Sequence, residues 1–361
     1  MKNILVTGGA GFIGSNFIHF LHKAEPKVNI INLDIFTYAG TQENLKDLPD
    51  TDRHIVVKGD ICDQNLLIDL LHHHTIDTIV HFAAESHVDR SISRPEPFIQ
   101  TNVVGTYSLL EVARKFWLEE NKFSEEDVRF HHISTDEVYG SLSPSDPPFS
   151  ENTPYAPNSP YAATKASSDH VVRSYGHTYN LPFTITNCSN NFGPRQFPEK
   201  LIPLIILNAL DGKELPIYGD GLQVRDWLFV NDHCEAILAV LKNGKIGETY
   251  NIGGGNQATN LAIVQMICDL LDEMQPDSPF LPHRNLITFV SDRPGHDRRY
   301  AMNIEKIKNA IGWQPKHSLQ DGLRKTVQWY LSHMEWTATV RKQQEYQHWL
   351  AENYDKRDGE I

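Results

Sequence analysis

Short apolar runs alternate with longer amphipathic stretches through the first half of the chain. The runs at 4–7, 30–33, 55–61, 78–84, 130–133 and 183–188 have the length and composition of buried strands. The stretch at 102–117 has the apolar periodicity of a helix, with an apolar surface wider than one buried face needs, which indicates deep burial or a subunit contact. This alternation predicts an α/β protein with a Rossmann-type, doubly wound parallel sheet.

The second half of the chain departs from this regular alternation. Further strands are predicted near Arg225 and Tyr250, and proline-containing segments at 198–203 and 215–219 flank an apolar helix. We expect residues 1–190 to form a dinucleotide-binding domain. Residues 191–361 are expected to form mainly a smaller, mixed α/β substrate-binding domain, with some strands and helices returning to the first domain.

The charge balance argues against two classes of partner. The 361 residues carry a formal net charge of −13, which opposes binding to nucleic acid or to an anionic membrane surface. No stretch approaches the roughly 20 apolar residues of a membrane span, and Met1 leads directly into a strand without the apolar region of a signal peptide. The sequence therefore predicts a cytoplasmic protein that binds neither nucleic acid nor membrane.

The cysteines and histidines do not predict a metal site. Cys62, Cys188, Cys234 and Cys268 are widely spaced and form no CxxC pair, which is typical of core thiols. The richest histidine cluster, at 72–74, ends a predicted helix and lacks spaced partners. We interpret it as a solvated surface run.

A glycine-rich turn follows the first predicted strand. Gly8, Gly11 and Gly14 form the pattern GxxGxxG between that strand and an amphipathic helix. Gly8 suits a tight turn, Gly11 lets backbone approach a diphosphate, and Gly14 lets the helix pack on the strand. The N-terminus of the helix offers N–H groups and a positive dipole end to phosphates. The turn predicts a dinucleotide site.

Asp34 indicates which dinucleotide binds. It ends the second strand, 20 residues after Gly14, the spacing expected for an acid that binds the adenosine ribose hydroxyls. A carboxylate would repel a 2′-phosphate, and neither Ile35 nor Phe36 supplies a cation. NAD is therefore favoured over NADP, the alternative being an ordinary turn aspartate at a strand end.

A hydroxyl and two adjacent carboxylates follow the fifth predicted strand. Thr135, Asp136 and Glu137 lie where ligands bind in an open α/β sheet, just beyond a strand's carboxyl end. Neighbouring carboxylates can divide acid and base roles, and we expect burial and the charge of Glu137 to raise the pKa of Asp136. The alternative is a helix N-cap at Thr135, although Gly140 and several prolines follow soon.

Tyr161 and Lys165 lie four residues apart in a predicted helix capped by Ser159, with Pro160 in its first turn. They share one face of that helix. A tyrosine of pKa about 10 is a poor base at neutral pH, whereas a nearby ammonium favours the phenolate. We therefore expect Lys165 to lower the pKa of Tyr161.

Two loops admit two interpretations each. The segment 141–158 is rich in proline, serine and aspartate, and suits either a lid or a passive surface loop. The segment 292–300 contains three arginines, which suit bidentate contact with a diphosphate or form a solvated charge cluster.

Together these motifs resemble a known family. TGGAGFIG at 7–14, YxxxK at 161–165 and Asp34 are similar to the extended short-chain dehydrogenase/reductase family. Further segments narrow the resemblance, from residue 1 to about 330, to its dTDP-glucose 4,6-dehydratase branch. They are ESHVDRS at 85–91, STDEVYG at 134–140, NCSNNFGP at 187–194, FPEKLIP at 197–203, RDW at 225–227, YNIGG at 250–254 and DRPGHDRRY at 292–300. Ile35 departs from this pattern, in which lysine is common.

The resemblance implies an NAD-dependent hydro-lyase that acts on dTDP-D-glucose. The implied product is dTDP-4-keto-6-deoxy-D-glucose, formed by oxidation at C4, elimination across C5–C6 and reduction at C6, for dTDP-rhamnose and other deoxysugars. Tyr161 would take the C4 hydroxyl proton, Glu137 the C5 proton, and Asp136 would protonate the departing C6 hydroxyl. Thr135 would hold the C4 oxygen and Lys165 the nicotinamide ribose. A homodimer through helices 102–117 and 161–178 is also implied.

Two sets of binding residues follow from the resemblance. The cofactor set comprises Gly8, Gly11, Phe12, Ile13, Gly14, Asp34, Ile35, Thr37, Asp60, Ile61, Phe82, Ala83, Ala84, Ser86, Thr101, Tyr161, Lys165 and Asn191. The substrate set comprises Ser86, Thr135, Asp136, Glu137, Asn190, Lys200, Leu201, Pro216, Ile217, Tyr218, Arg225, Asn260, Arg293, His296 and Tyr300.

The sequence leaves two rival functions to weigh. The acid pair argues against an epimerase or decarboxylase of another nucleotide sugar, whereas a 4,6-dehydratase of GDP- or UDP-sugars stays open. A non-catalytic NAD sensor would keep the glycines and Asp34. It would not need Tyr161, Lys165 and both acids together.

Overall fold

The computed structural model describes residues 1–49, 52–121, 123–292, 296–343 and 346. Its strands, numbered in chain order, are β1 (Asn3–Thr7), β2 (Asn29–Asp34), β3 (His54–Lys58), β4 (Thr78–His81), β5 (Arg129–Thr135), β6 (Phe183–Cys188), β7 (Asn190–Phe192), β8 (Leu215–Tyr218), β9 (Val224–Phe229), β10 (Thr249–Ile252), β11 (Gln257–Thr259) and β12 (Ile287–Val290).

The helices, also in chain order, are α1 (Phe12–Ala24), α2 (Gln64–His74), α3 (Val88–Ser93), α4 (Glu96–Phe98), α5 (Thr106–Arg114), α6 (Pro160–Tyr179), α7 (Leu201–Asp211), α8 (Val230–Asn243), α9 (Asn260–Met274), α10 (Glu305–Ile311), α11 (Leu319–Ser332) and α12 (Met334–Arg341). π-helical turns at Ile99–Gly105 and Lys115–Glu120 flank α5. The helix predicted at 102–117 is therefore part of a longer helical run from Glu96 to Glu120.

Seven parallel strands form the main sheet, in the order β10-β6-β5-β4-β1-β2-β3. Successive residues of β1 alternate between its two faces. Leu5 packs in a core with Trp117 and Phe130, whereas Ile4 lies in a second core with Phe17 on the other face. Both faces are covered because each must be removed from water. The α/β fold predicted from the alternating pattern is confirmed.

The remaining strands lie outside this sheet. β11, β9 and β7 form a three-stranded sheet, and β12 pairs with β8. A separate core that includes residues of α7, α9 and α11 covers them. β10 nevertheless pairs with β6 of the main sheet, so the chain returns to the first sheet after residue 191. The domain boundary at 190 stays a prediction.

The segment 141–158 is packed against a late part of the chain. Leu142 N–H donates to the Arg299 carbonyl at 3.0 Å, and Phe149 N–H donates to the Ala301 carbonyl at 2.8 Å. Phe149 and Leu142 are buried in one apolar cluster with Met302. These contacts favour the passive interpretation of the loop over a lid.

None of the helices within the described ranges is long and apolar enough to cross a lipid bilayer.

The four cysteines are free thiols, and Cys188, Cys234 and Cys268 are buried. The histidines at 72–74 end α2, where His72 Nε2 lies 3.0 Å from a carboxylate oxygen of Glu120. Among residues 1–49, 52–121, 123–292, 296–343 and 346, no cluster of three metal-binding side chains is present.

Candidate active site

A cavity of about 490 Å³ lies at the carboxyl ends of the central strands. The turn after β1 and the segments that follow β2, β4, β5 and β6 form its wall, together with α6. In a doubly wound sheet this is the edge at which ligands bind, because the strand order reverses there. All eighteen residues of the predicted cofactor set line this cavity. Their individual contacts with a cofactor stay predictions.

The three glycines of the turn have different structural roles. Gly8 has a φ of +71°, and a Cβ there would lie 2.6 Å from the Ala83 nitrogen. A Cβ at Gly14 would lie 2.3 Å from the Gly8 carbonyl oxygen, which keeps α1 close to β1. At Gly11 the nearest contact of a Cβ would be 3.3 Å away, again with the Gly8 oxygen. Gly8 and Gly14 are thus required by packing, whereas Gly11 leaves space beside the cavity.

This arrangement fits NAD. Gly11 caps α1 without a side chain, so no capping group competes for the first N–H groups of the helix, which suit a diphosphate. Asp34 is the last residue of β2. Its carboxylate accepts the Ala10 N–H of the glycine-rich turn at 2.9 Å and the Phe36 N–H at 2.8 Å. Burial raises the pKa of Asp34, and these two hydrogen bonds oppose that rise. The carboxylate is therefore held in place at the cavity wall.

Thr135 is the last residue of β5, Asp136 and Glu137 follow it, and all three line the same cavity. A single 3-10 turn, Asp136–Tyr139, begins there and ends at Gly140. The Thr135 hydroxyl caps it by accepting the Glu137 N–H at 3.3 Å. Both sequence interpretations are therefore correct in part, because Thr135 is an N-cap and the acids also line the cavity.

Asp136 is the more deeply buried of the two acids, with 2% of its surface exposed. Burial raises its pKa well above the ordinary value, and the charges of Glu137 and Asp226 raise it further. The charge of Arg225 acts in the opposite direction. The predicted direction, with burial and Glu137 as its causes, is confirmed. Asp136 is thus suited to donate a proton at neutral pH.

Tyr161 lies close to the acid pair, but its pKa departs from the sequence-based expectation. Burial raises the pKa of its phenol well above 10, and the charge of Glu137 adds to the rise. A hydrogen bond with the Thr135 side chain acts in the opposite direction. The expected lowering of the Tyr161 pKa by Lys165 is wrong for this state of the protein, because desolvation and the charge of Glu137 raise it.

Lys165 is also buried beneath the cavity, and its ammonium donates to the Ile133 carbonyl at 2.7 Å. Burial lowers the pKa of Lys165 to about 8, although Asp169 and Cys188 act to raise it. The lysine is therefore anchored to the backbone of β5, two residues before Thr135.

The substrate set divides into two groups. Six members line the cavity, namely Ser86, Thr135, Asp136, Glu137, Asn190 and Lys200. The other described members do not line it. They are Leu201, Pro216, Ile217, Tyr218, Arg225, Asn260, His296 and Tyr300. Arg293 lies outside the described residues.

Four members of the second group form ring contacts near β8 and β9. The rings of Tyr218 and His296 lie 6.3 Å apart, and the Arg225 guanidinium lies 4.4 Å from the centre of the Tyr300 ring. The pKa of Tyr300 is raised by burial and then by Glu137, so Tyr300 lies close to the acid pair.

Arg225 belongs to the predicted substrate set but does not line the cavity. It is buried, and its guanidinium donates to the Val224 and Asp297 carbonyls, both at 2.9 Å. Its charge acts on Asp136, whose pKa it lowers. Arg225 therefore lies close to the acid pair, and its contact with a substrate stays a prediction.

Several buried polar atoms of the cavity wall have no hydrogen-bond partner among the described residues. They include Asp136 Oδ2, Ser189 Oγ, Asn190 Oδ1 and Gln196 Oε1. Buried polar groups are rarely left unpaired in folded proteins. A ligand with several hydroxyl groups would satisfy them.

Glu199 and Cys188 are among the cavity residues that were not predicted from the sequence. Glu199 lies beside the predicted Lys200 within FPEKLIP, where its carboxylate accepts the Tyr38 hydroxyl at 3.2 Å. Burial raises the pKa of Glu199 to about 7. Cys188, interpreted as a core thiol, also lines the cavity. Position within a matched motif is the signal that identifies Glu199, whereas no local signal distinguishes Cys188.

Comparison with known proteins identifies the family. The family model described as GDP-mannose 4,6 dehydratase matches residues 5–326. The dTDP-glucose 4,6-dehydratase 1 of Escherichia coli (strain K12) is 53% identical over 363 residues, which cover 98% of this chain and 99% of that protein. The chain belongs to the dTDP-glucose 4,6-dehydratase family.

Solved structures of dTDP-glucose 4,6-dehydratases have the same fold. That of Bacillus anthracis str. Ames, in complex with NAD, has a TM-score of 0.83 and 47% identity, and covers 94% of this chain and 100% of its own. DesIV of Streptomyces venezuelae, with NAD and dTDP bound, has a TM-score of 0.84 and 45% identity with the same coverage. The membership predicted from the motifs is confirmed.

Asp34 should determine the cofactor preference of this dehydratase-family chain. Replacing a charged hydrogen-bond acceptor in Asp34→Ala removes roughly 1.5–3 kcal/mol of binding energy, about tenfold or more in affinity. We expect calorimetry to show that much weaker NAD binding. NADP should support little turnover of the unmodified protein. Equal turnover with NADP would contradict the role given to Asp34.

Gly14→Ala and Gly11→Ala form a matched pair that separates packing from cofactor binding. Gly14→Ala places a methyl group against backbone and should reduce the free energy of unfolding by roughly 2 kcal/mol or more. Gly11→Ala should change stability little but weaken NAD binding. Thermal unfolding without added NAD, followed by NAD titration, measures both. Equal loss of stability in the two variants would contradict this division.

Proposed function

We propose that this protein converts dTDP-D-glucose to dTDP-4-keto-6-deoxy-D-glucose and water, as an NAD-dependent hydro-lyase. The acid pair at the end of β5 carries the proposal, because it lies in the same cavity as Tyr161 and the glycine-rich turn. The 53% identity to a dTDP-glucose 4,6-dehydratase supports the choice of nucleotide sugar. The product is a precursor of dTDP-rhamnose and other deoxysugars.

The chemistry divides between the cofactor and five side chains. Bound NAD supplies a hydride acceptor for C4 and returns the hydride to C6, so the overall reaction consumes no reductant. Tyr161 takes the proton of the C4 hydroxyl, and Thr135 holds the same oxygen. Because burial and Glu137 raise the pKa of Tyr161, a cationic nicotinamide ring and Lys165 are needed to favour the phenolate in the complex.

Elimination requires one ionised and one protonated carboxyl group. The ketone at C4 makes the C5 hydrogen acidic, and Glu137 removes it as a base. Asp136, whose pKa is raised, gives its proton to the C6 hydroxyl, which leaves as water. Its Oδ2 has no hydrogen-bond partner among the described residues. Atoms balance, because the C4 hydride is returned at C6 and the C5 proton is returned at C5. The C4 hydroxyl proton that Tyr161 takes makes up, by exchange through solvent, for the proton that Asp136 gives to the departing water.

A dehydratase of another nucleotide sugar is the second candidate. The same acids and tyrosine would serve a GDP- or UDP-hexose, and only the base-binding residues would differ. The most direct comparison offers dTDP-, UDP- and GDP-glucose to the purified protein and follows loss of one water by mass spectrometry. We expect dTDP-glucose to be dehydrated fastest, and faster dehydration of either rival would replace the proposed substrate.

Substitution of each acid should stop the reaction at a different step. Glu137→Gln should still oxidise C4, so reduced cofactor and a 4-keto hexose accumulate without loss of water. Asp136→Asn should exchange the C5 proton with solvent but eliminate roughly 10²- to 10⁴-fold more slowly, the usual contribution of a general acid. Stopped-flow absorbance and mass spectrometry in deuterated water distinguish the two steps.

Glu151→Gln is the matched control for these variants. Glu151 accepts the Asn251 N–H at 2.8 Å and does not line the cavity. The control should dehydrate substrate at the rate of the unmodified protein. Dehydration by Glu137→Gln at the same rate as this control would overturn the assignment of the base.

We also propose a homodimer that uses the helical run from Glu96 to Glu120 together with α6. Ile99, Val104 and Tyr107 lie on this run with 53%, 37% and 44% of their surface exposed. Large apolar side chains exposed together mark a protein contact. On α6, exposed Ala163 and Ser167 are small enough to allow close approach of a second helix.

The cytoplasmic location predicted from the sequence stays a prediction.

A charge within this apolar surface should separate the subunits. Ile99→Glu is expected to shift the molecular mass measured by light scattering from dimer to monomer, because burying an unpaired carboxylate is costly. Met334→Glu is the control, since Met334 is also 53% exposed but lies on α12. A dimer that persists in Ile99→Glu, or dissociates equally in Met334→Glu, would place the interface elsewhere.

A further inference from the structure

A second buried carboxylate lies behind the catalytic strand end. Asp169 is on α6, one turn after Lys165, and is fully buried. Its Oδ2 accepts the Ser134 hydroxyl at 2.9 Å and the Tyr155 hydroxyl at 2.7 Å. Its Oδ1 lies 3.2 Å from His132 Nε2. The steps proposed above for the reaction do not use this carboxylate.

These contacts connect Asp169 to the backbone of the acid pair. Ser134 is the residue before Thr135 in β5. Asn187 Nδ2 donates to the Thr135 carbonyl at 3.1 Å and lies 3.5 Å from Asp169 Oδ2. The strand end that presents Thr135 is therefore hydrogen-bonded to α6 through one carboxylate.

The negative charge of Asp169 also acts on Lys165, which lies four residues earlier on α6. Burial alone would raise the pKa of Asp169, but His132, Lys165 and Tyr155 more than offset it and hold the pKa below its ordinary value. Four titratable groups interact electrostatically with Lys165, each from a different element around it. They are His81 of β4, His132 of β5, Cys188 of β6 and Asp169 of α6. Of these four groups, Asp169 is the one with a carboxylate.

We propose that Asp169 is a positioning residue of this active site, whose buried carboxylate keeps Lys165 cationic and holds the end of β5 in place. The inference deepens the proposed function, since it rests on that function for the role of Lys165. Without the carboxylate, Lys165 would be a desolvated ammonium with His132 as a nearby base. It would then lose its proton near neutral pH and no longer favour the Tyr161 phenolate.

A purely structural role for Asp169 is the main alternative. It would hold β5 and α6 together but would leave the protonation of Lys165 unchanged. The two roles differ in a measurement that needs neither substrate nor turnover, namely the titration of Lys165 itself. A failure of this test is therefore distinguishable from a failure of the proposed function.

The test is an NMR titration of the purified protein with carbon-13 at the ε position of its lysines. The Lys165 signal is the one absent from the spectrum of Lys165→Arg. We expect a midpoint near pH 8 in the unmodified protein, and one lower by about one pH unit or more in Asp169→Asn, the effect of removing a close opposite charge. Asp169→Ser is the second neutral variant if Asp169→Asn does not fold.

Tyr155→Phe is the matched control, because it removes a hydrogen bond to the same carboxylate but no charge. Its Lys165 midpoint should stay close to that of the unmodified protein, and Asp169→Glu should restore it. Dehydration supplies the second readout: the deficit of Asp169→Asn should be smaller at about pH 6 than at about pH 8. An unchanged Lys165 midpoint in the neutral variants, or a deficit independent of pH, would overturn the proposal.

Discussion

The burial of one carboxyl group beside another is the constraint on which this site depends. Asp136 is nearly inaccessible to water, and Glu137 and Asp226 lie close enough for their charges to raise its pKa. Two neighbouring acids in water would both be ionised at neutral pH. Here desolvation raises the pKa of Asp136, which makes it the proton donor in the proposed mechanism and Glu137 the base. The charge of Arg225 opposes this rise.

The fold supports this pair in two ways. The parallel sheet brings the ends of β1, β2, β4, β5 and β6 to one edge, so the glycine-rich turn, Asp34 and the acids line one cavity. In addition, α6 carries Tyr161 and Lys165 into the same cavity, and Asp169 on the same helix is fully buried. A hydroxyl, an ammonium and a carboxylate are thus presented at fixed intervals by one rigid element.

Local spacing predicted most of this arrangement from the sequence. The turn at Gly8–Gly14, Asp34 and the residues after β5 are defined by their distance from a strand end, which a pattern of apolar residues reveals. The pKa of Tyr161 and the position of Arg225 could not be predicted in the same way. They depend on burial and on charges brought close by folding, since Glu137 is distant from Tyr161 in the chain and β9 is more distant still. Glu199 was missed because its place in the cavity arises from the path of a loop.

The central claim is that Asp136 is protonated while Glu137 is ionised in the same protein at neutral pH. Infrared difference spectroscopy measures this directly, because a protonated carboxyl group has a carbonyl stretch that a carboxylate lacks. The account predicts one such band of the unmodified protein at neutral pH that is lost in Asp136→Asn and retained in Glu137→Gln, beside the band of Glu199, whose pKa is about 7. Loss of the band in Glu137→Gln but not in Asp136→Asn, or its absence from the unmodified protein, would contradict the division of roles.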